Sequence, residues 1–281
     1  MIVGGAKTTH NIIVMRSATY RHLSHVGNHG DVLKHLVFYT ILRELTNLHE
    51  EGILMLDSHA GVGQYTLSGQ DTKEYQGGIA RVIYANDSPA AVKDYVNAVQ
   101  TFNKDDGVLR IYPGSTALAN LILREQDQHY LWELHPSECQ ALQSNISSQS
   151  TAYCQDGFIK VSSKLDNKRH CFVLIDPPYK DANDFSRTLA TVKQILHQNS
   201  SATVMIWIPI CKVAAQVNHG LPEVASHWVR ASVTVSTHGM RGSTIHVVNP
   251  PAGLHAILQS TMPWLAKMLS HNCSDYSVIS S

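Results

Sequence analysis

Four consecutive residues, Asp176-Pro177-Pro178-Tyr179, follow an apolar run at 171–175 and suit chemistry on a planar amine. A proline pair ends a central strand because proline donates no backbone N–H. What remains is two acceptors, the Asp176 carboxylate and the Pro177 carbonyl, beside the exposed aromatic plane expected of Tyr179. Acceptors next to a stacking surface can hold the exocyclic amine of a base while its lone pair attacks an electrophile. The alternative is a solvent-facing turn, since Asp-Pro-Pro also suits turns.

A second stretch, DSHAGVG at 57–63, follows the apolar residues ILML. Its glycines, Gly61 and Gly63, would let the backbone turn tightly and approach a ligand. Such a turn binds nucleotides in many α/β proteins, but an ordinary β-turn explains two glycines equally well. A nicotinamide dehydrogenase would carry a third glycine, whereas position 66 holds Thr66.

Acidic residues follow the next two predicted strands. Glu133 comes after YLW, and in a doubly wound fold a carboxylate there accepts hydrogen bonds from ribose hydroxyls. The alternative is that Glu133 is a surface residue. Its separation from Gly63 along the sequence is too long for one helix and requires an insertion between the two residues. Asp156 and Gly157 follow TAYCQ, a place that would border an adenine ring. The glycine loop, the Glu133 segment and the motif at 176–179 follow one another along the chain in the order expected of a nucleotide site. This order favours one ligand cavity over three unrelated turns.

The elements that would position these residues alternate along the chain. Apolar periodicity and turn residues predict strands at 53–57, 129–133, 151–154, 171–175, 203–208, 227–235 and 243–249. They predict helices at 31–48 and 254–269 and after positions 114, 136, 157 and 184, with Ser115 as an N-cap. Residues from 64 to about 112 show a helix at 90–103 and no good strand, typical of a helical insertion. The pattern predicts an α/β fold with a doubly wound, mostly parallel, seven-stranded sheet.

Composition narrows the class of protein. The chain has 281 residues, 43% of them hydrophobic, and 22 basic against 22 acidic residues. A net charge of zero disfavours binding to nucleic acid by bulk electrostatics but allows a local basic patch. No apolar run is long enough for a membrane span, and no export signal is evident, so we expect a cytoplasmic protein. A monomer is also expected. The five cysteines lack C-x-x-C spacing and are expected to be reduced.

The motif at 176–179 resembles the D/N-P-P-Y/F/W motif of S-adenosylmethionine-dependent methyltransferases that act on exocyclic amino groups, and DSHAGVG resembles their cofactor loop. A longer ordered set is similar to the RlmJ family of 23S ribosomal RNA adenine-N6 methyltransferases. It comprises YRHLSHVGNHGDVLKH, DSHAGVGQY, EYQGGIARV, YPGS, LREQD, ELHPSE, DGF, IDPPY and VNPP. The resemblance implies a Rossmann-like methyltransferase domain at 17–281, with the insertion at about 64–112. Residues 1–16 would be an N-terminal extension that need not be ordered.

The resemblance also implies roles for matching residues. Asp176 would accept the proton, the Pro177 carbonyl would assist, and Tyr179 would stack on the flipped adenine. Tyr20 would contact the substrate, 23S ribosomal RNA. The residues expected to contact S-adenosylmethionine are Lys34, His35, His59, Gly61, Gly63, Ser115, Glu133, Asp156, Gly157 and Asp176. Ser58 stands where the family pattern has threonine, and THGMRGSTIHV follows the pattern less closely, which leaves an RNA contact by Arg241 open.

Three other patterns invite a functional interpretation. The histidines of HLSHVGNHGDVLKH could suggest a metal site, but no H-E-x-x-H or cysteine partner accompanies them, so none is expected. VNPPAG repeats the proline pair but has Ala252 where the ring should be, which favours a structural turn. Lys160, Lys164, Lys168 and Arg169 have spacing that suggests a basic stripe on one helix, either solvated or in contact with RNA.

Rival functions remain at this point. A DNA adenine methyltransferase shares D-P-P-Y but usually carries a separate recognition domain, for which this chain has little room. A glutamine methyltransferase of release factors would more typically show N-P-P-Y. A catalytically silent RNA-binding assembly factor is disfavoured by intact Asp176, Pro177 and Tyr179.

Overall fold

The computed structural model describes residues 25–67, 73–104, 107–235, 240–270 and 275–281. The helices are α1 (His29–Leu48), α2 (Ile79–Val82), α3 (Ala90–Gln100), α4 (Ser115–Asn120), α5 (Pro136–Asn145), α6 (Gly157–Lys160), α7 (Asn183–Gln198), α8 (Ala215–Val224) and α9 (Leu254–Leu269). The strands are β1 (Ile53–Asp57), β2 (Gln64–Thr66), β3 (Ile111–Pro113), β4 (Gln128–Trp132), β5 (Ser150–Tyr153), β6 (His170–Ile175), β7 (Thr203–Pro209), β8 (Trp228–Thr234), β9 (Gly242–Val248) and β10 (Asp275–Ser280). Short 3₁₀ helices cover Lys73–Gly77 and Val161–Lys164.

The main sheet has the order β10-β8-β9-β7-β6-β1-β4-β5. Strands β5, β4, β1, β6 and β7 are parallel, whereas β9, β8 and β10 run antiparallel to their neighbours. From β1 the chain continues to β4 and β5 on one side and returns to β6 on the other. The strand order therefore reverses between β1 and β6, the point where open α/β sheets bind ligands. The predicted Rossmann-like, mostly parallel fold is confirmed.

Helices cover both faces of the sheet, which explains the unbroken apolar run of β1. Ile53 and Met55 pack in the cluster that contains residues of α1 and α9. Leu54 and Leu56 point to the opposite cluster, which contains residues of α7 and α8. Successive side chains of a strand alternate between faces, so a strand that is buried on both sides needs apolar residues throughout.

Several elements were not predicted from the sequence. The sheet has eight strands rather than seven, because β10 pairs antiparallel with β8 at the edge. The segment 64–112 was expected to lack strands, yet β2 pairs with β3 and brings the end of this segment back beside its start. Helix α8 was also not predicted. Among the described residues, no helix is long and apolar enough to cross a membrane.

The expectation of five reduced cysteines is wrong for one pair. Cys139 of α5 and Cys154, just after β5, form a disulfide, whereas Cys171 and Cys211 are free. Spacing along the chain could not reveal this pair, because the contact arises only when α5 packs back along β5. Cys273 lies outside the described residues.

The predicted basic stripe does not lie on one helix. Helix α6 ends at Lys160, and a 3₁₀ turn ends at Lys164, so Lys168 and Arg169 fall in the connection to β6. The ammonium of Lys164 lies over the rings of Tyr130 and Tyr153 instead, at 5.1 and 5.2 Å from their centroids. The turn at VNPP is structural as predicted: the side-chain amide of Asn249 donates to backbone carbonyls just before β7.

Candidate active site

One cavity of about 920 Å³ opens at the carboxyl ends of the parallel strands. The loops after β1, β4, β5, β6 and β7 all contribute to its wall, together with the first turns of α1 and α4. This is the crevice that the reversal of strand order predicts. Its volume falls at the upper end of the range for small-molecule sites, roughly 300–1,000 Å³.

An ion-paired cluster of three side chains lies at one end of the cavity. The ammonium of Lys34 is 2.6 Å from Asp176 Oδ2 and 2.8 Å from Asp31 Oδ1. Burial lowers the pKa of Lys34, but the two carboxylates outweigh burial and raise the pKa above its ordinary value, so the ammonium stays charged. Oδ1 of Asp176 makes no hydrogen bond with the described residues, and the side chain is 15% exposed to the cavity. Asp176 therefore keeps one oxygen as an acceptor toward the cavity.

The helix start at α1 explains how Lys34 is held in place. The side chain of Asn28 caps the helix by accepting from the N–H groups of Gly30 and Asp31. The second carboxylate oxygen of Asp31 accepts from Gly27 N, which fixes it toward Lys34 one turn along. Lys34 was predicted to contact the cofactor, and in the structure its ammonium contacts the carboxylate of Asp176.

Tyr179 follows the proline pair in an uncommon backbone conformation, with φ of 47°. A non-glycine residue in the left-handed region costs free energy, and such residues cluster at functional sites. Its ring centroid lies 4.4 Å from that of Phe185 and 6.1 Å from that of Trp207, and its hydroxyl lies 3.4 Å from Thr188. The ring is thus partly buried rather than the exposed plane that the sequence suggested, and it still lines the cavity.

The loop after β1 is held by the fully buried carboxylate of Asp57. Ser115 Oγ donates to it at 2.6 Å, and the backbone N–H of His59 donates at 3.1 Å. Burial raises the pKa of Asp57 to about 6. Ser115 is the first residue of α4 and Gly114 its N-cap, so the predicted capping role of Ser115 is wrong.

His59 and Gly61 form the cavity side of this loop. Burial lowers the pKa of His59 to about 3, which keeps its ring neutral, and the ring packs edge-on against Phe158. Gly61 has φ of +61°, and a Cβ there would lie 2.3 Å from the hydroxyl of Tyr65. Glycine is therefore needed for the backbone to follow this path.

Glu133 follows β4, as predicted, and two backbone groups orient its carboxylate. Gly61 N donates to Oε2 at 3.1 Å and His135 N donates to Oε1 at 2.7 Å. Each oxygen retains a further acceptor position, and the carboxylate lines the cavity. A carboxylate held in this way can accept both hydroxyls of a ribose.

Asp156 and Gly157 begin helix α6 beside the loop after β1. Asp156 caps the helix by accepting from Phe158 N and also pairs with Arg187. A Cβ on Gly157 would lie 1.8 Å from the carbonyl oxygen of Ser58. Only glycine permits this approach, which places the ends of β1 and β5 close enough to share one ligand.

His35 approaches the cavity from α1 and is buried. Its Nδ1 lies 2.8 Å from the hydroxyl of Tyr112, which lies 2.8 Å from the hydroxyl of Tyr95. Both tyrosines come from the segment between β1 and β4, so this segment contributes polar groups behind the cavity wall.

Nearly all the site residues that were predicted converge on this one cavity. Those that line it are Lys34, His35, His59, Gly61, Ser115, Glu133, Asp156, Gly157, Asp176, Pro177 and Tyr179. Gly63 does not: with φ of +86°, it shapes the loop, and its carbonyl accepts from Gly114 N. Tyr20 lies outside the described residues.

Several contributors were not predicted. Asp31 could have been found, because it precedes Lys34 by three residues on one helix face. Nothing in the sequence indicated that Arg187 and Trp207 line the cavity, because their positions depend on how α7 and β7 pack. The histidines His25 and His29 have separate partners, Glu74 and the carbonyl of Met240. No group of three or more potential metal ligands occurs in the part of the chain that is described.

Comparison with known proteins decides the family. Residues 50–279 match the family described as "Ribosomal RNA large subunit methyltransferase D, RlmJ". The chain belongs to the RlmJ family. It is 35% identical to "Ribosomal RNA large subunit methyltransferase J" of Escherichia coli and 34% identical to the protein of that name from Haemophilus influenzae. Each alignment covers 89% of this chain and 94% of the relative.

A solved structure supports the assignment of the fold to this RlmJ-family chain. A Legionella pneumophila protein matches it with a TM-score of 0.85 and 27% identity, over 91% of this chain and 98% of the other. The predicted family and the predicted enzyme class, a ribosomal RNA methyltransferase, are confirmed.

Proposed function

We propose that this protein transfers a methyl group from S-adenosylmethionine to the N6 amino group of an adenine in 23S ribosomal RNA. The observation that carries the proposal is the end of β6. There Asp176 presents an acceptor oxygen to the cavity beside the ring of Tyr179. The large-subunit specificity follows the names of the relatives that match most of the chain.

The cavity suits an adenosine-containing cofactor. The carboxylate of Glu133 has the acceptors that a ribose diol requires, and Leu134, Pro136 and Phe158 add apolar surface for a purine. The close approach of Gly157 to Ser58 leaves no room for a side chain that would separate the two loops. When bound, S-adenosylmethionine supplies a sulfonium methyl group that is already electrophilic.

The residues at the end of β6 would prepare the acceptor. Oδ1 of Asp176 and the carbonyl of Pro177 accept the two hydrogens of the adenine amine. This frees the nitrogen lone pair from conjugation with the ring. Asp176 would then take the proton that nitrogen loses once the C–N bond has formed, the carbon–sulfur bond has broken and S-adenosylhomocysteine has become the leaving group. Lys34 holds the carboxylate in register through Oδ2, and Tyr179 stacks on the extruded base.

The test is a labelling assay with purified protein. It is incubated with methyl-labelled S-adenosylmethionine and, in parallel, with unmodified 23S RNA, 16S RNA and duplex DNA. We expect label in 23S RNA alone, recovered as N6-methyladenosine after nuclease digestion. Label in DNA would retain the chemistry at Asp176 and overturn the substrate. Absence of label with all three, while the cofactor still binds, would refute the proposed reaction.

A further inference from the structure

A disulfide joins two segments that border one end of the cavity. Cys139 of α5 follows Glu138, which lines the cavity, and Cys154 lies two residues before Asp156, which also lines it. Cys139 is fully buried, whereas Cys154 is exposed. The bond therefore lies beside the proposed cofactor site, and solvent reaches it from the Cys154 end.

Few apolar contacts hold α5 against the edge of the sheet. Of its ten residues, Cys139 and Leu142 are the two that are buried. Leu142 belongs to a small cluster with two other buried residues, Ala60 and Leu131, whereas the clusters on the two faces of the sheet contain most of the core. The disulfide is therefore a large part of what keeps α5 in place.

Helix α5 in turn supports the glycine loop after β1. The side-chain amide of Asn145, the last residue of α5, donates to the carbonyl of Val62 at 3.0 Å. A Cβ on Gly63 would lie 3.6 Å from the side chain of Asn145, so the loop is in close contact with the helix. At its other end, α5 begins directly after His135, whose N–H orients the carboxylate of Glu133. A displaced α5 would release the loop and this carboxylate together.

We propose that the disulfide between Cys139 and Cys154 is a redox-controlled positioning element. In its oxidised form it holds α5 against the glycine loop and keeps the site competent to bind S-adenosylmethionine, and a dithiol reductant releases α5 and lowers that affinity. The proposal rests on the proposed function. A protein that methylates ribosomal RNA would work where cellular reductants keep thiols reduced, and disulfides in that setting mostly sense redox conditions or take part in catalysis.

Reduction by a dithiol consists of two thiol–disulfide exchanges. A thiolate of the reductant attacks Sγ of Cys154, the S–S bond breaks, and Cys139 leaves as a thiolate that takes up a proton. The second thiolate of the reductant then attacks the reductant's own sulfur in the mixed disulfide, and Cys154 leaves and is protonated in the same way. The protein gains two electrons and two protons, and the reductant becomes a cyclic disulfide.

The first experiment compares the affinity of oxidised and dithiothreitol-reduced protein for labelled S-adenosylhomocysteine by equilibrium dialysis, without RNA. Mass spectrometry after alkylation verifies the state of the bond in each sample. We expect reduction to weaken binding about 3- to 30-fold, the factor by which the binding-competent population falls. Equal affinity of the two forms would overturn the proposal.

The matched variant is Cys154→Ser, at the exposed end of the bond. It cannot form the disulfide, so it should bind as weakly as the reduced wild type. Dithiothreitol should leave its affinity unchanged, because the reductant acts through this bond. A variant that binds as tightly as the oxidised wild type, or that still responds to dithiothreitol, would contradict the proposal.

The second experiment distinguishes a local release from a general loss of stability. Hydrogen exchange is measured by mass spectrometry on both forms of the wild type. Reduction should speed exchange in α5 and in the loop at 61–63 and leave α7 unchanged, since α7 packs in the cluster on one face of the sheet. Faster exchange throughout the chain would refute a local device.

The outcomes separate this proposal from the proposed function. If the oxidised protein binds no S-adenosylhomocysteine, the proposed cofactor is wrong and redox control of its binding falls with it. If both forms bind it equally, the proposed function stands and redox control alone is refuted. If the purified protein lacks this disulfide even after treatment with oxidised glutathione, the proposal is overturned whatever the affinity.

Discussion

Two aspartates at the ends of neighbouring parallel strands, Asp57 and Asp176, have quite different surroundings. In the register of β1 and β6, Asp57 lies opposite Leu174, two residues before Asp176. Asp57 is completely buried and is held by neutral donors, a hydroxyl and a backbone N–H. Asp176 faces the cavity and is held by the ammonium of Lys34.

The partners, rather than the residue type, give each aspartate its role. Within the described residues, Asp57 has no cation in contact, and all its hydrogen bonds hold the loop after β1 and the start of α4 in place. Asp176 has a cation on one oxygen and the cavity on the other, so it can accept hydrogens from a ligand. The same residue type thus organises a loop at one strand end and is positioned for chemistry at the next.

The largest expected effect is on the rate of turnover, and it comes from substituting Asp176. An Asp176→Asn substitution preserves the shape but replaces an acceptor oxygen and removes the proton acceptor. The rate of methyl transfer should fall about 10²- to 10⁴-fold. Affinity for S-adenosylhomocysteine should change little, which calorimetry checks alongside the labelling assay. Turnover near the wild-type rate would show that Asp176 is not the proton acceptor.

The matching substitution, Asp57→Asn, should change the pH dependence of stability. The pKa of Asp57 is about 6 in the folded protein and lower when unfolded, so its ionised form destabilises the fold. That cost is complete above pH 6 and disappears as the pH falls toward 4. As the pH falls, the wild type is relieved of this cost, whereas the variant never carried it. The free energy of unfolding of the variant relative to wild type should therefore decrease by up to about 3 kcal/mol as the pH falls through that interval. Urea unfolding at several pH values measures it, and a difference independent of pH would contradict the assignment.

The contrast also shows what the sequence could reveal. The apolar runs of β1 and β6 and the motifs that follow them are local, so the positions of Asp176, Glu133 and the glycine loop were predictable. Periodicity likewise indicated the central parallel strands, because burial on both faces demands continuous apolar residues. The family resemblance supplied the cofactor and the substrate class.

Features that depend on packing between distant segments were not predictable. The pairing of Lys34 with Asp176 joins residues 142 positions apart. The disulfide of Cys139 and the added strand β10 likewise require the fold before their partners are adjacent. The hydrogen bond from Ser115 to Asp57 also joins distant segments, so the sequence indicated only a helix cap at Ser115.

A smaller loss of stability is expected when the close approach of Gly157 to Ser58 is disturbed. In Gly157→Ala, the new methyl group would meet the backbone carbonyl of Ser58. The two loops would have to separate, so we expect a loss of about 1–3 kcal/mol in unfolding free energy and weaker binding of S-adenosylhomocysteine. Gly77→Ala is the control, because its Cβ would meet nothing within 4 Å. Equal behaviour of the two variants would mean that the approach of the loops is unimportant.

The smallest effect concerns the ring beside Asp176. Burial raises the pKa of Tyr179 above its ordinary value, and its hydroxyl lies a long 3.4 Å from Thr188, so the hydroxyl has neither an acid–base role nor a strong partner. Tyr179→Phe should therefore change kcat/KM for 23S RNA by less than about twofold, whereas Tyr179→Ala should lose the roughly 1–3 kcal/mol of base stacking. Steady-state assays of both variants decide between ring and hydroxyl. A large loss in Tyr179→Phe would assign the hydroxyl a direct part in the reaction and extend the chemistry at this strand end beyond Asp176.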